Sequence, residues 1–364
     1  MKARMFLAWL LMAGGLTGCI SGGKQFGYVT GPGTNEVFQF QLHANGSLAP
    51  LNPPNAAVGS NPVSVLIHPS GLFAYIANFA GNNVTLLSIN KGNGELTVPV
   101  NTNPIPPPTP PNIFNTGTGP IALAISPGGT FLFVLDQGSN DITVFAIDPG
   151  TGNLSPVKGS PFASGCSGSS LAITPKGDLL FVACPALGVV DALSISSTGV
   201  LALVNQLLGG AGAAPSFVMV DLSGRFLYVA DPPGNRVWGL ALQGNGTANA
   251  ISGSPFAAGA QPVAMTTNPP GSLLYVGNRG SNDVSAFVID ANSGVLGAIG
   301  GSPFPTGGKG PSFLAASGTS LYVTDQITND VAAFSISSNG GLTATTGSPF
   351  NVATSPTWIT LINE

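Results

Sequence analysis

The side chains that could take part in chemistry are few and recur at fixed places in this sequence. The 364 residues include only ten basic residues, fourteen acidic residues and two histidines. One set of Asx residues follows short apolar runs, at Asn78, Asp136, Asp231, Asn278 and Asp325. A second set lies a few residues further on, at Asn35, Asn82, Asn140, Asn235, Asn282 and Asn329. Rings of carboxylate and amide oxygens can hold a cation, but Asx side chains also bond their own backbone in turns and tolerate left-handed conformations. We favour turn residues, and we predict no metal and no cofactor.

Several ionisable side chains are predicted to share one rim of the molecule with these turns, namely Asp136, Asp231, Arg236, Arg279, Lys309 and Asp325. They could bind an anionic ligand, but they form no recognisable catalytic set. His43 and His68 are predicted in turns on the opposite face. Serine without a histidine partner is a weak nucleophile. The rim is therefore predicted to bind a ligand rather than to cleave one.

Cys166 and Cys184 are the two cysteines beyond the N-terminal region. Cys184 stands where the neighbouring units carry an Asx residue, and Cys166 precedes the first strand of the same unit. In an antiparallel pair these two places lie at one rim, so a disulfide in an oxidising compartment is the hypothesis. The pairing leaves them about three residues out of register, and a bond requires the loop before Ser169 to fold back. Two buried free thiols are the alternative.

The elements that must position these residues form a repeat. A proline followed by an aromatic strand recurs from residues 61, 119, 169, 214, 261 and 310. Each unit contains four short β-branched and aromatic strands between glycine, proline or asparagine turns. Four strands per unit of roughly 40–50 residues are typical of a propeller blade. Four units end in Gly-Ser-Pro-Phe, predicted on the outermost strand, where proline can omit an amide donor.

The two ends of the chain predict how the ring closes. The first unit begins at Phe26 and matches a second strand, without a first strand before it. The segment Pro356 to Leu361 matches a first strand with no second strand after it. One blade is thus predicted to be built from both ends, which leaves no free edge. Six complete units and this composite unit predict an all-β, seven-bladed β-propeller with four antiparallel strands per blade.

The motifs at the second strands carry a resemblance to a known family. Tyr28-Val29-Thr30, Tyr75-Ile76-Ala77-Asn78, Tyr275-Val276-Gly277-Asn278 and Tyr322-Val323-Thr324-Asp325 resemble the YVTN repeats of lactonase-type seven-bladed propellers. That family includes 6-phosphogluconolactonases and surface proteins of other roles. The resemblance covers essentially the whole mature chain and implies the propeller fold. Fold alone does not imply a reaction.

The N-terminal residues resemble a lipoprotein signal. Lys2 and Arg4 precede an apolar run too short to span a bilayer, and Leu16-Thr17-Gly18-Cys19 resembles the bacterial lipobox, which implies acylation of Cys19. An ordinary cleaved signal is the alternative. We predict a signal peptide over 1–18, a tether over 19–25, and a propeller over 26–364 with a proline-rich insertion at 101–115. The expected location is the outer membrane, or else the cell surface or periplasm.

The functional expectation follows from what the inner strands lack. Propeller enzymes of the resembled family place ionisable side chains where these strands begin, and here those segments hold none. The ten scattered basic residues form no stripe for nucleic acid. We therefore expect a monomeric, lipid-anchored, non-catalytic module that binds a protein, an envelope polymer or a small ligand. The alternative is a lactone hydrolase that resembles 6-phosphogluconolactonase and acts on a sugar lactone, with Arg279 as the residue to test.

Overall fold

The chain forms a ring of seven antiparallel sheets. The computed structural model describes residues 24–99, 112–208, 212–352 and 354–363. The predicted signal peptide, Cys19 and most of the tether lie outside these residues, as do residues 101–111 of the proline-rich insertion. No membrane-spanning helix is found in the part of the chain so described.

The first four blades contain strands β1 to β17. Blade 1 has β1 (Gln25–Gly31), β2 (Glu36–Leu42) and β3 (Leu48–Ala57). Blade 2 has β4 (Pro62–Ile67), β5 (Phe73–Asn78), β6 (Asn83–Ile89), β7 (Leu96–Thr97) and β8 (Ile113–Asn115). Blade 3 has β9 (Pro120–Ile125), β10 (Phe131–Asp136), β11 (Asp141–Ile147), β12 (Leu154–Pro156) and β13 (Phe162–Ala163). Blade 4 has β14 (Ser170–Ile173), β15 (Leu179–Cys184), β16 (Val189–Ile195) and β17 (Leu201–Leu208).

The last three blades contain strands β18 to β32, and one more strand returns to blade 1. Blade 5 has β18 (Phe217–Val220), β19 (Phe226–Asp231), β20 (Arg236–Leu242), β21 (Ala248–Ala250) and β22 (Phe256–Ala257). Blade 6 has β23 (Pro262–Thr267), β24 (Leu273–Asn278), β25 (Asp283–Ile289), β26 (Leu296–Ala298) and β27 (Phe304–Pro305). Blade 7 has β28 (Pro311–Ala316), β29 (Ser320–Asp325), β30 (Asp330–Ile336), β31 (Leu342–Ala344) and β32 (Phe350–Asn351). The returning strand is β33 (Ile359–Asn363).

The prediction of a seven-bladed propeller is confirmed. Each blade orders its strands from first to fourth across one sheet, and β33 supplies the first strand of blade 1 by pairing with β1. Thr30 N also donates to Trp358 O at 3.1 Å, one residue before β33 begins. The strand starts at Ile359, three residues later than the predicted Pro356.

Buried apolar clusters lie between the blades, one at each of the seven interfaces among the described residues. The cluster that joins blade 7 to blade 1 packs Tyr322 and Val331 against Val29 and Ile359. Strands covered on both faces in this way need apolar side chains in both directions of the pleat. This requirement explains why the chain contains so few charged residues.

The tyrosine of the YVTN motif joins neighbouring blades. Tyr75 donates its hydroxyl to Gly152 O in the outer hairpin of the next blade at 2.8 Å. Tyr28, Tyr228 and Tyr275 make the same bond to Gly94 O, Gly294 O and Gly340 O at 2.7–3.0 Å. The motif that carried the family resemblance is thus a structural joint.

The Gly-Ser-Pro-Phe segments lie where the outer strand of a blade is interrupted. The serine-proline bonds at Pro161, Pro255, Pro303 and Pro349 are cis. Ser160 Oγ accepts a hydrogen bond from Val144 N at 2.8 Å, and the serines of the other three segments accept the equivalent bond. The hydroxyl therefore satisfies an amide of the third strand where the outer strand breaks.

Candidate active site at the mouth of the channel

One face of the ring carries the ends of the second strands, the starts of the first strands and the loops that join successive blades. We call it the Asx face, because Asn35, Asn82, Asn140, Asn235, Asn282 and Asn329 all lie there with φ between 50° and 62°. The prediction of left-handed turn residues is confirmed for this set. It is wrong for the other set, Asn78, Asp136, Asp231, Asn278 and Asp325, which end the second strands. In five of these six, the Oδ1 atom also accepts a backbone amide hydrogen bond just ahead of the next blade, as Asn282 does from Gly310 N at 2.8 Å.

In four blades, the residue that directly follows the second strand lies beside the start of the first strand, at what we call the mouth of the axial channel. The backbone amides of Phe79, Gln137, Arg279 and Gln326 donate to the carbonyl just ahead of the first strand of their own blade, at 2.8–2.9 Å. First strands form the innermost ring of a propeller, so these positions border the axis. Sequence reasoning identified only Arg279 among them, although their common place after the second strand was a usable signal.

Arg279 provides an exposed cation at this mouth. Its Nη2 donates to Gln326 Oε1 in the next blade at 2.9 Å. Lys309 is also exposed, on the loop that leads into blade 7, and its backbone amide donates to Thr328 Oγ1 at 2.9 Å. The salt bridges in the described ranges are Lys176–Asp178 and Arg236–Asp231. Neither Arg279 nor Lys309 is therefore neutralised by a carboxylate of the described chain.

A belt of hydroxyl groups lies at the start of the first strands. Ser169, Ser216, Ser312 and Thr357 occupy one position of the repeat and donate to carbonyls of the next blade. Ser312 Oγ, for example, lies 2.9 Å from Pro356 O. These hydroxyls join blades, and their protons are already engaged. They fit a structural role better than a nucleophilic one.

Three aromatic rings meet near the axis next to this belt, and we call them the aromatic floor. Phe217 of blade 5 meets Phe313 of blade 7 edge to face, with ring centroids 5.8 Å apart. Phe313 in turn stacks on Trp358 of blade 1 at 3.6 Å. Blades 5 and 7 are not neighbours, so their side chains can meet only by crossing toward the axis. Each of these three aromatic residues follows a proline and a hydroxyl residue, a pattern that is visible in the sequence. The pattern does not show that the side chains touch, because their contact depends on closure of the ring of blades.

The structure buries three of the six predicted rim residues. Asp136, Asp231 and Asp325 are completely buried. Arg236 is not free either, since its Nε lies 2.7 Å from Asp231 Oδ2 and its guanidinium lies over Trp238. Only Arg279 and Lys309 of that set are exposed. The physical reason is that the loops between blades fold over the strand ends, as Gly308 does so closely that a Cβ there would lie 2.4 Å from Asp325 Oδ2.

The pKa values of the buried carboxyls are shifted in different directions. Burial raises the pKa of Asp136 to about 6, and the Thr143 hydroxyl, 2.6 Å from Oδ2, only partly opposes this. Burial, together with the neighbouring carboxylate of Asp330, raises the pKa of Asp325 to about 7. For Asp231, burial acts upward, but hydrogen bonds from Ala214 N, Arg236 and Trp238 hold its pKa below the usual value. These shifts arise from burial beneath loops, so they do not mark a catalytic group in the mouth.

The opposite face carries His68 and a cleft between blades 3 and 4. His68 Nε2 lies 2.9 Å from Gly129 O and Nδ1 lies 2.8 Å from Ser70 Oγ, and burial lowers its pKa. The cleft has a volume of about 670 Å³ and is lined by first-to-second strand turns, including Pro127 and Pro175. Ser126 Oγ accepts backbone amides inside its own turn. The side chains of His68 and Ser126 therefore both stabilise turns between first and second strands, as predicted for His68.

Cys166 and Cys184 form a disulfide, with Cα atoms 5.7 Å apart. The loop ahead of Ser169 folds back as the hypothesis required, and Ser169 N donates to Ala183 O at 3.0 Å. Ser164 Oγ fixes this loop by donating to Cys166 O at 2.6 Å. The bond ties the entrance of blade 4 to the end of its second strand.

The ring is a seven-bladed β-propeller whose Asx face carries the exposed Arg279 and Lys309. Comparison with known proteins then gives the family: the model "Lactonase, 7-bladed beta-propeller" matches residues 20–208, 207–304 and 239–361. The chain belongs to this family of seven-bladed lactonase propellers.

Relatives of this chain include proteins named for lactone hydrolysis. A 6-phosphogluconolactonase of Formosa agariphila is 37% identical over 90 residues, which are 24% of this chain and 22% of that protein. The putative 6-phosphogluconolactonase structure from Bacteroides fragilis has a TM-score of 0.79 at 19% identity and covers 95% of this chain and 99% of its own. The Pseudomonas aeruginosa periplasmic gluconolactonase PpgL gives 0.77 at 18%, with 93% and 99% covered. At 18–19% identity, the similarity to these two structures shows a shared fold.

The expectation of a non-catalytic binding module is wrong. The family match supports the alternative, a lactonase-type protein. The expectation rested on the missing ionisable groups at the starts of the inner strands. It had placed Arg279 on the rim but did not identify Gln326, which holds the Arg279 guanidinium there.

Proposed function

We propose that this protein is a lactone hydrolase that binds a sugar lactone at the channel mouth on the Asx face. Membership of the lactonase family carries the proposal. The mouth supports it with an arginine that no carboxylate of the described chain neutralises and with an aromatic floor beneath. A mostly apolar site with a few convergent polar groups is typical of small-ligand binding.

Arg279 is the residue to which we assign carbonyl polarisation. Gln326 holds the guanidinium by accepting one of its hydrogens at 2.9 Å, and the remaining N–H groups can point at the substrate. When water adds to the lactone carbonyl, negative charge develops on its oxygen, and fixed donors stabilise that charge. The ring C–O bond then breaks and the alcohol leaves with a proton, giving the hydroxy acid. Lys309 would attract a substrate that carries an acid group.

We propose that the nucleophile is hydroxide from bulk solvent, and that no side chain acts as a general base to activate a water molecule. The carboxylates at the ends of the second strands are buried, and the half-buried Glu36 and Asp141 stand at the starts of third strands, further from the axis. A reaction that depends on hydroxide shows a kcat/KM that rises tenfold for each pH step of one. Glu36→Gln should then leave the rate unchanged, since no general base is removed.

The test is turnover of a lactone panel by the purified protein, with phosphorylated and unphosphorylated sugar δ-lactones. We expect Arg279→Ala to lower kcat/KM about a hundredfold, the usual effect of losing one oxyanion donor. Arg225→Ala is the matched control, because it removes an exposed arginine from the opposite face. Absence of turnover with every lactone would refute the function, and unchanged turnover in Arg279→Ala would refute the site.

We also propose that the chain is a monomeric lipoprotein held in the cell envelope through Cys19. The lipobox-like sequence before this residue supports the proposal. Metabolic labelling with a fatty-acid analogue should mark the wild-type protein and spare Cys19→Ala. Label in the variant would exclude this anchor.

A further inference from the structure

Blade 4 replaces the hydrogen-bonding pair that its neighbours, blades 3 and 5, build at the end of the second strand. In blade 3, Thr143 on the third strand donates to Asp136 at the end of the second strand. Trp238 donates to Asp231 in the same arrangement in blade 5. In blade 4 the same two positions hold Asp191 and Cys184. The third strand thus offers an acceptor where its neighbours offer a donor.

The carboxylate of Asp191 is completely buried and points at the disulfide. Its Oδ1 accepts from Gln206 Nε2 at 2.8 Å, and its Oδ2 lies 3.5 Å from Cys184 Sγ. A disulfide sulfur carries no hydrogen to donate, so Oδ2 has no donor among the hydrogen bonds of the described residues. Gly165 encloses this oxygen, because a Cβ there would lie 2.6 Å from it. A buried carboxylate oxygen without a donor is costly unless another partner supplies charge.

We infer that the reduced form of this site, formed by Cys166, Cys184 and Asp191, binds Zn²⁺. The two sulfurs and one carboxylate oxygen lie within 4.8 Å of one another. Zinc takes thiolate at about 2.3 Å and carboxylate at about 2.1 Å in a tetrahedron, which separates sulfur from oxygen by about 3.6 Å. The observed 3.5 Å between Cys184 Sγ and Asp191 Oδ2 already matches that edge. Two thiolates favour zinc over magnesium or calcium.

The chemistry requires a dithiol or phosphine reductant from outside the protein. Two electrons and two protons convert the disulfide to two thiols, while the reductant becomes a disulfide or a phosphine oxide. Zinc binding then releases two thiol protons and leaves a fourth position for water. The oxidised site is a covalent tie and cannot bind the ion in this way. The state of this one bond therefore selects between a disulfide and a metal site.

Cobalt spectroscopy on the full chain with Cys19→Ser tests the inference. The background substitution removes the remaining cysteine. After reduction with a phosphine and anaerobic desalting, we expect one Co²⁺ per chain, with a thiolate-to-cobalt absorption band that stoichiometric Zn²⁺ displaces. The oxidised protein should show no band. Asp191→Asn should weaken binding at least tenfold, whereas the control Asp136→Asn, at an equally buried carboxylate where other blades carry asparagine, should not.

If reduction destabilises the fold, thermal unfolding provides a second test of zinc binding. Added Zn²⁺ should raise the Tm of the reduced protein and leave the oxidised protein unchanged. A reduced, folded chain that gives no cobalt band overturns the inference. So does a reduced, unfolded chain that Zn²⁺ fails to restore, or equal binding by the Cys166→Ser/Cys184→Ser variant. None of these measurements depends on lactone turnover.

Discussion

The position that ends the second strand shows how one place in a repeat is satisfied by different chemistry. In blade 6, Asn278 Nδ2 donates to Asp283 Oδ1 at 2.7 Å, and in blade 5 Arg236 supplies the donor. Blade 7 has two carboxyls, and Asp325 Oδ2 and Asp330 Oδ1 are buried without a hydrogen-bond partner. A shared proton would restore the bond that the amide makes in blade 6. Burial and the facing carboxylate raise the pKa of Asp325 accordingly.

Asp325→Asn should therefore change the dependence of stability on pH. The pKa of Asp325 is about 7 in the fold and about 4 in an unfolded chain, so the folded state holds the extra proton between these values. The contribution to stability is complete below pH about 4 and is lost as pH rises to about 7. The substitution should flatten this fall and raise the Tm at pH 8. Asp136, with a folded pKa of about 6, retains part of the slope.

Thermal unfolding of both proteins between pH 4 and 8 is the measurement. Asp290→Asn is the control, because that carboxyl is exposed in a hairpin and accepts Ser293 N at 2.8 Å. Hydrogen bonds in this hairpin lower the pKa of Asp290, so its titration affects stability only below about pH 4. The fall of stability between pH 4 and 7 should therefore persist in Asp290→Asn. An unchanged slope in Asp325→Asn would contradict the shared proton.

Sequence reasoning identified the right residue types at this position but could not tell buried from exposed ones. The turn chemistry of Asn282 follows from local preferences, and the left-handed backbone confirms it. Whether Asp325 faces a ligand depends on Gly308, which belongs to the loop from the preceding blade. That loop is set by ring geometry, which no local pattern contains.

At the scale of the strand, the YVTN tyrosine converts a local motif into contact between blades. Tyr75 is completely buried, and its hydroxyl reaches the carbonyl of Gly152 in the next blade. Phe133 and Phe181 fill the same place in blades 3 and 4 without a hydroxyl. The sequence predicted both the strands and their order, because β-branched and aromatic runs between turns are a local signal. The role of the tyrosine could not be predicted, since its partner lies 77 residues away.

Tyr75→Phe should lower the free energy of unfolding by roughly 1–3 kcal/mol, the cost of leaving a buried carbonyl without its donor. Urea unfolding monitored by fluorescence measures the loss. Tyr322→Phe is the matched control, since that tyrosine is equally buried and shows no hydrogen bond to a glycine of the next blade within the described chain. Equal losses in the two variants would argue against an inter-blade joint.

At the scale of the whole molecule, closure brings distant residues onto one axis. Phe217, Phe313 and Trp358 meet only because blade 1 is completed from the C-terminus. The composite blade was predictable from the unmatched strands at the two ends. The contact of these three rings could not be predicted, because contact between blades that are not neighbours depends on the diameter of the ring.

Deleting residues 356–364 should therefore open the ring. The deletion removes β33, exposes the inner edge of β1, and takes Trp358 and Ile359 out of two interface clusters. Loss of one large buried apolar side chain costs about 2–5 kcal/mol, and natural proteins are stable by only about 5–15 kcal/mol. We expect the truncated chain to lose its cooperative thermal transition and to bind a hydrophobic dye.

A synthetic peptide of residues 354–364 should restore the transition, as the missing strand would pair with β1 in trans. Thr360→Ala, a smaller change at a half-buried residue of β33, should retain cooperative unfolding. A truncated chain with the wild-type Tm would mean that the interfaces between blades, rather than β33, hold the ring closed.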